Sequence, residues 1–228
     1  MFSDTDPILA IDTATQNLSL ALRAGGRLYR FHEAVGSGQS REILPQTGRL
    51  LDQAGIGVSD LRGIVYAQGP GAFTGLRIGI AVAQGLAFPY NTPLYGIPSL
   101  DAAAYLLPPS PCVLAAADAR MGEVFYAWFD TVRHRRLSPY QVGRAADIRQ
   151  PENTGAAAAG VSAVGSAFAL ESPPPFSGCP AVPRADDYLN LAATGRYPAT
   201  DAAAAQLLYV RDKIALTAAE QAARRKAA

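Results

Sequence analysis

The sequence predicts an α/β fold in which helices cover a mixed β-sheet. Three observations carry that reading. Short apolar runs bounded by turn residues recur through the first third of the chain, at residues 8–11, 18–22 and 61–67. Apolar positions at helical spacing follow, at Ile43, Leu44, Leu50, Leu51 and Ala54 and again across residues 73–88. The resulting order is three strands, helix, strand, helix, helix, which suits helices laid on a sheet.

Each element has a local reason. Residues 8–11 form a first strand, and the polar run 12–17 turns the chain into a second at 18–22. Gly25 and Gly26 close a hairpin into a third strand at 27–31. Gly36-Ser37-Gly38 then breaks the chain, and Ser40 is a plausible N-cap for a helix reaching Ala54. Pro45 removes a backbone donor inside it, so a local kink is expected. Residues 61–67 are the next strand. The loop Gln68-Gly69-Pro70-Gly71 leads into a helix over 73–88, stopped by Pro89 and the Asn91-Thr92-Pro93 turn. Pro98 opens a further helix over 99–107. Residues 112–117 and 123–129 read as a hairpin. Between 140 and 181 Gly, Ala and Pro dominate, and one strand stands out at 161–164. Helices over 185–193 and 201–222 complete the chain, with a polar, Ala-rich tail expected to fray.

Composition narrows the function classes. The 228 residues are 49% hydrophobic and 17% charged, enough to bury a sizeable core. Twenty basic and nineteen acidic side chains leave a formal charge of +1. A stand-alone nucleic-acid binder carries a stronger basic excess. Cys112 and Cys179 form no CxxC pair, which argues against a zinc ribbon or thioredoxin motif. There is neither a basic, apolar leader at the N-terminus nor an apolar run of the ~20 residues a bilayer requires. A soluble, cytoplasmic protein is expected, with no membrane association.

Residues 69–87, GPGAFTGLRIGIAVAQGLA, are the most informative stretch. A glycine inside a helix costs about 1 kcal/mol relative to alanine, so Gly75, Gly79 and Gly85 should be compensated by close approach. Gly75, Gly79 and Ala83 line one smooth face, flanked by Ile78, Val82 and Leu86. That face suits a sheet or another helix across an interface, and both readings stand. The segment lacks the GxxxxGK[ST] pattern of a phosphate loop, and Thr74 stands where GxGxxG needs glycine. Anion binding by the Gly69–Gly71 backbone remains open beside a structural role.

Five blocks resemble the TsaB (YeaZ) family. They are ILAIDTATQNLSLAL near the start, QGPGAFTGLRIGIAVAQGLA, the run Pro98-Ser99-Leu100-Asp101-Ala102, DARMGEVFYAWF at 118–129 and LLYVRDKIALT at 207–217. They occur in the family's order; residues 131–200 match weakly. The resemblance implies a two-lobed actin-like, Hsp70-like (ASKHA, ribonuclease H-like) fold. It implies a first lobe over 1–107, with a C-terminal helix over about 202–222 packing back on it, and a smaller second lobe over 108–201. It also implies a non-catalytic subunit of the complex that makes N6-threonylcarbamoyladenosine in tRNA. The larger catalytic paralogue TsaD, the ATPase TsaE and a second copy of the chain are the implied partners. TsaC supplies the threonylcarbamoyl-adenylate, and tRNA is contacted mainly through the complex. The partner surface carried over by resemblance comprises Leu44, Leu51, Thr74, Gly75, Arg77, Ile78, Gly79, Val82 and Leu86.

The residues agree with a chain that performs no chemistry alone. TsaD-type enzymes hold metal through a His-x-x-x-His pair, one helical turn apart. Here His32 and His134 lie about a hundred residues apart, and HExxH is absent, so no metal site is expected. Actin-like ATPases begin with Asp-x-Gly-Thr, whereas this chain has Asp12-Thr13-Ala14-Thr15. Asp12 and Thr13 are the weak candidates for a cofactor site. Asp12 either holds Mg²⁺ through water or bonds its own turn. No cofactor is required, and weak nucleotide binding, or nucleotide at the boundary with TsaD, stays open. Asp118, Arg120 and Glu123 read as a solvated turn rather than an acid/base group. Ser99 and Ser166 have no neighbouring histidine. Arg211, Lys213, Arg224, Arg225 and Lys226 read as a solvated terminal helix, with tRNA contact as the alternative. The alternative for the whole protein is a stand-alone glycoprotease-like peptidase or actin-like ATPase.

Overall fold

The computed structural model describes residues 2, 3, 5–152 and 160–210. Two sheets build two lobes. The first has strand order β3-β2-β1-β4-β5, from β1 (Ile8–Asp12), β2 (Asn17–Ala24), β3 (Arg27–Ala34), β4 (Gly63–Gly69) and β5 (Leu94–Pro98). β1–β2–β3 are antiparallel, while β4 and β5 run parallel to β1. β1 is central and wholly buried. Its side chains alternate between the two faces. Leu9 and Ile11 point into the cluster under α1 (Gln39–Ala54) and α2 (Phe73–Ala87), and Ile8 and Ala10 point into the cluster on the other face.

The second sheet has order β10-β6-β7-β8, with β9 also paired to β7. Its strands are β6 (Val113–Asp118), β7 (Glu123–Asp130), β8 (Arg135–Arg136), β9 (Gln141–Arg144) and β10 (Ser162–Val164). β6 and β7 are the hairpin expected from the sequence. α3 (Ser99–Ala104) joins the lobes, sending Leu100, Ala103 and Ala104 into the second-lobe core and Ala102 into the first. α4 (Ala185–Ala193), read from sequence within residues 108–201, packs Tyr188, Leu189 and Leu191 on the first-lobe sheet. The Ala185 N–H donates to Ser19 Oγ on β2 at 2.9 Å.

Four local readings are corrected. α1 starts at Gln39, with Gly38 rather than Ser40 as its cap, and it runs unbroken through Pro45, which is exposed. β5 was read only as a turn followed by a helix start. α3 ends at Ala104, short of residue 107. Residues 201–210 are not helical: a turn at 202–204 leads into an extended segment lying on the first lobe. There Leu208 N–H donates to the Gln68 carbonyl at 2.8 Å, and Tyr66 OH donates to the Gln206 carbonyl at 3.0 Å. The remainder of the expected helix, with Arg211, Lys213, Arg224, Arg225 and Lys226, lies outside the described residues. Among the described residues, no helix is long and apolar enough to cross a membrane.

Candidate functional site

A cleft of about 710 Å³ separates the lobes. Its first-lobe wall is the β1–β2 turn, the Pro70–Phe73 loop and the start of α3. Its second-lobe wall includes Ala117–Arg120, Phe125 and Gly165–Ser166. Asp12 and Tyr188 reach it, whereas Thr13 turns away. The Thr13 carbonyl lies where a Cβ on Gly75 would stand, and the Thr13 hydroxyl lies where a Cβ on Gly79 would stand. The glycines of α2 therefore let that helix press directly on the β1–β2 turn.

That turn is held from two sides. Asp12 Oδ1 accepts the Ala14 N–H at 2.8 Å, one of the two roles weighed for it. The buried Gln39 amide, at the start of α1, donates to the carbonyls of Thr15 at 2.9 Å and Asn17 at 3.0 Å. Asp12 is 3% exposed. Burial pushes its carboxyl up to about 7, against the pull of the Ala14 N–H and with a further push from the charge of Asp187.

These residues do not fit a nucleotide phosphate. The Ala72 N–H is already given to the Ala14 carbonyl at 2.8 Å, and a Cβ on Gly71 would meet that same carbonyl. The loop is thus closed against the turn. The cleft's one basic side chain among the described residues, Arg120, pairs with Asp118 at 3.3 Å. Asp118 also accepts the Arg120 N–H at 2.8 Å, the turn arrangement expected from the sequence. Once ionised, the Asp12 carboxyl repels phosphate, with no cation beside it among the described residues. His32 on β3 and His134 in the β7–β8 turn lie on separate lobes, and neither lines the cleft.

The expected partner surface divides in two. Gly75, Gly79 and Leu51 are buried in the chain's own core, which removes them from any outward surface. Leu44, Thr74 and Arg77 are exposed, and Ile78, Val82 and Leu86 are half-buried. The outward row of α2 is Thr74, Arg77, Ala81, Gly85 and Phe88, with Phe88 73% exposed. Arg77 caps the row, its guanidinium 3.9 Å over the Phe73 ring. A Cβ on Gly85, or on Gly48 in α1, would meet nothing within 4 Å among the described residues.

The lobes are clasped behind the cleft. Half-buried Asp101 on α3 accepts the Tyr140 hydroxyl at 2.6 Å and the Tyr197 hydroxyl at 3.0 Å. Arg136 lies 4.0 Å over the Tyr140 ring, and Arg196 lies 4.6 Å over Tyr105 and bonds its hydroxyl. In the sequence, residues 98–102 read as a helix start and as a block resembling the family, with no sign of the clasp that Asp101 makes.

The family model described as TsaD: tRNA N6-adenosine threonylcarbamoyltransferase matches residues 33–179. Over 123 residues the chain is 42% identical to the tRNA threonylcarbamoyladenosine biosynthesis protein TsaB of Escherichia coli (strain K12), covering 53% of each chain. YeaZ from Pseudomonas aeruginosa superposes with a TM-score of 0.79 at 31% identity, over 90% of this chain and 100% of that one. The chain belongs to the TsaB (YeaZ) family. A second solved structure, of an uncharacterized protein from P. aeruginosa with similarity to peptidase YEAZ, gives a TM-score of 0.80 at 32% identity, over 91% of this chain and all of the other. In the alignments to the E. coli and Haemophilus influenzae TsaB proteins the chain spans about half of their length, 53% and 52%. The fold is the two-lobed actin-like one of this TsaB family.

Proposed function

We propose that this chain is a scaffold subunit for threonylcarbamoyladenosine synthesis in tRNA and performs no chemistry itself. It docks a larger, related transferase of the TsaD type through the outer face of α1 and α2. The observation that carries this reading is Gly85 with its neighbours. A glycine inside a helix costs about 1 kcal/mol, and among the described residues nothing approaches closely enough to offset it at Gly85 or Gly48. A second helix lying against that row would. Leu44, Ala81 and Phe88 add exposed apolar surface beside the two glycines. The partner's chemistry follows from kinship. Part of the chain is 42% identical, over 73 residues, to the tRNA N6-adenosine threonylcarbamoyltransferase of Methylobacillus flagellatus. The same face serves self-association, the complex is joined by a TsaE-type ATPase, and it meets tRNA in the cytoplasm.

Against a peptidase or ATPase acting alone stand the arrangement of the serines and the closed loop. Neither histidine lines the cleft with Ser99 and Ser166. The deciding experiment is co-purification with a TsaD-type transferase. Ala81→Glu and Phe88→Glu, both at exposed positions, should abolish it while leaving thermal unfolding unchanged, because a charge buried without a partner costs several kcal/mol. Undiminished binding by both variants, or robust hydrolysis by the purified chain alone, would refute the proposal.

A further inference from the structure

The cleft has the wrong chemistry for phosphate but a coherent chemistry of another kind. Its walls are apolar, with Leu76, Leu100, Phe125, Leu170, Val182 and Leu208 among them. The described residues that line it carry three charges, those of Asp12, Asp118 and Arg120. Asp118 and Arg120 neutralise each other at the rim. Asp12 is left as the one acidic side chain of the cleft with no cation beside it among the described residues, 3% exposed, with Oδ1 on the Ala14 N–H. Two hydroxyls lie beside it, those of Ser99 on α3 and Tyr188 on α4, 8% and 1% exposed; they are near enough to interact with each other, and neither has another partner among the described residues. Tyr188 is close enough to Asp12 for the carboxylate's charge to raise its ionisation.

A buried carboxyl with no cation beside it, next to two hydroxyls with at most each other for a partner, leaves hydrogen-bonding capacity unmet, at about 1–3 kcal/mol for each unsatisfied group. A greasy chamber of about 710 Å³ lies over them, within the range of small-molecule sites. We propose that the interlobe cleft binds a small ligand with a flat apolar body and an amine or amidine head, the head donating to Asp12, with Ser99 and Tyr188 beside it. Attraction to the carboxylate selects cations and repels phosphate-bearing molecules. The apolar walls take the body, and the Asp118–Arg120 pair closes the rim. This assignment is independent of the docking face on α1 and α2.

Benzamidine is the probe, since it joins a two-donor cationic head to an aromatic ring. Calorimetry on the full chain at pH 8, where the Asp12 carboxyl is ionised, should register binding, and thermal unfolding at that pH should shift upward with benzamidine concentration. Asp12→Asn should weaken binding about ten- to a hundredfold, the loss expected for charged hydrogen bonds. Ala169→Trp, at an exposed position on the cleft wall, should block binding without touching the core. Circular dichroism and unfolding curves establish that both variants are folded. ATP with magnesium should neither bind nor displace the probe. Absence of benzamidine binding at millimolar concentration would overturn the assignment. So would equal affinity in the two folded variants, or magnesium-ATP that binds more tightly and competes.

Discussion

At the residue scale Asp12 is the most consequential side chain. Its folded value lies near 7 because burial disfavours the charge, against an ordinary aspartate value of 3.8. Between those values the unfolded chain has released its proton while the folded chain holds it. Folding therefore takes up a proton, and stability falls as pH rises through this window, levelling above it. Below about 4 both states are protonated and the penalty vanishes. Asp12→Asn keeps an oxygen for the Ala14 N–H and removes the titration. The variant should be as stable as the parent near pH 4 and up to about 4 kcal/mol more stable near pH 8, measured by urea unfolding. The turn bond of Asp12 was legible in the sequence because Asp commonly bonds its own turn. The role of Gln39 was not. Its amide reaches Thr15 and Asn17, more than twenty residues upstream, and no local pattern encodes such a contact.

At the scale of elements, α2 separates what the sequence could only pool. Gly75, Gly79 and Gly85 look alike as helix-interior glycines. The structure divides them by what lies opposite. Gly75→Ala would drive a methyl into the Thr13 carbonyl, which is main chain and cannot step aside. It should destabilise the protein by at least about 3 kcal/mol, the upper range for overpacking. Gly85→Ala meets open space and should stabilise the isolated chain by about 0.5–1 kcal/mol. On the proposed docking face it should also weaken transferase binding. Thermal unfolding and co-purification of the two variants test both statements. The strands with clean apolar runs, β1, β2 and β4, were all readable. β5 was missed because Pro93 precedes it and Gly96 sits in its centre, a composition that reads as turn. β9 is short, polar and at an edge, so neither alternation nor burial marks it. Residues 201–210 mislead because alanine favours helix locally, whereas their carbonyls accept bonds from Gln84, Tyr66 and Gln68.

At the scale of the molecule, the Asp101 clasp sets how the lobes stand. One carboxylate gathers a tyrosine from the second lobe and another from the segment after α4. Burial raises the carboxyl of Asp101, while the two hydroxyl bonds pull it back down. Tyr140→Phe or Tyr197→Phe should each lower stability by about 1 kcal/mol, since each takes one donor from the half-buried Asp101 carboxyl. Urea unfolding measures the loss, and hydrogen exchange across α3 should rise in both variants. The two-lobed plan could be expected from sequence only through resemblance. Composition and periodicity gave one mixed sheet with helices and could not say that α3 would bridge two cores.

The placement of α4 bears on how the chain is made. The face of the first sheet that carries Ile8, Ala10, Val65 and Ile97 is covered by Tyr188, Leu189 and Leu191. On a ribosome those strands emerge early and their cover emerges only after the second sheet, whereas β6 to β10 can pair among themselves in the interval. The lobe begun first is therefore completed last, and the growing polypeptide holds a bare greasy sheet until translation has passed α4.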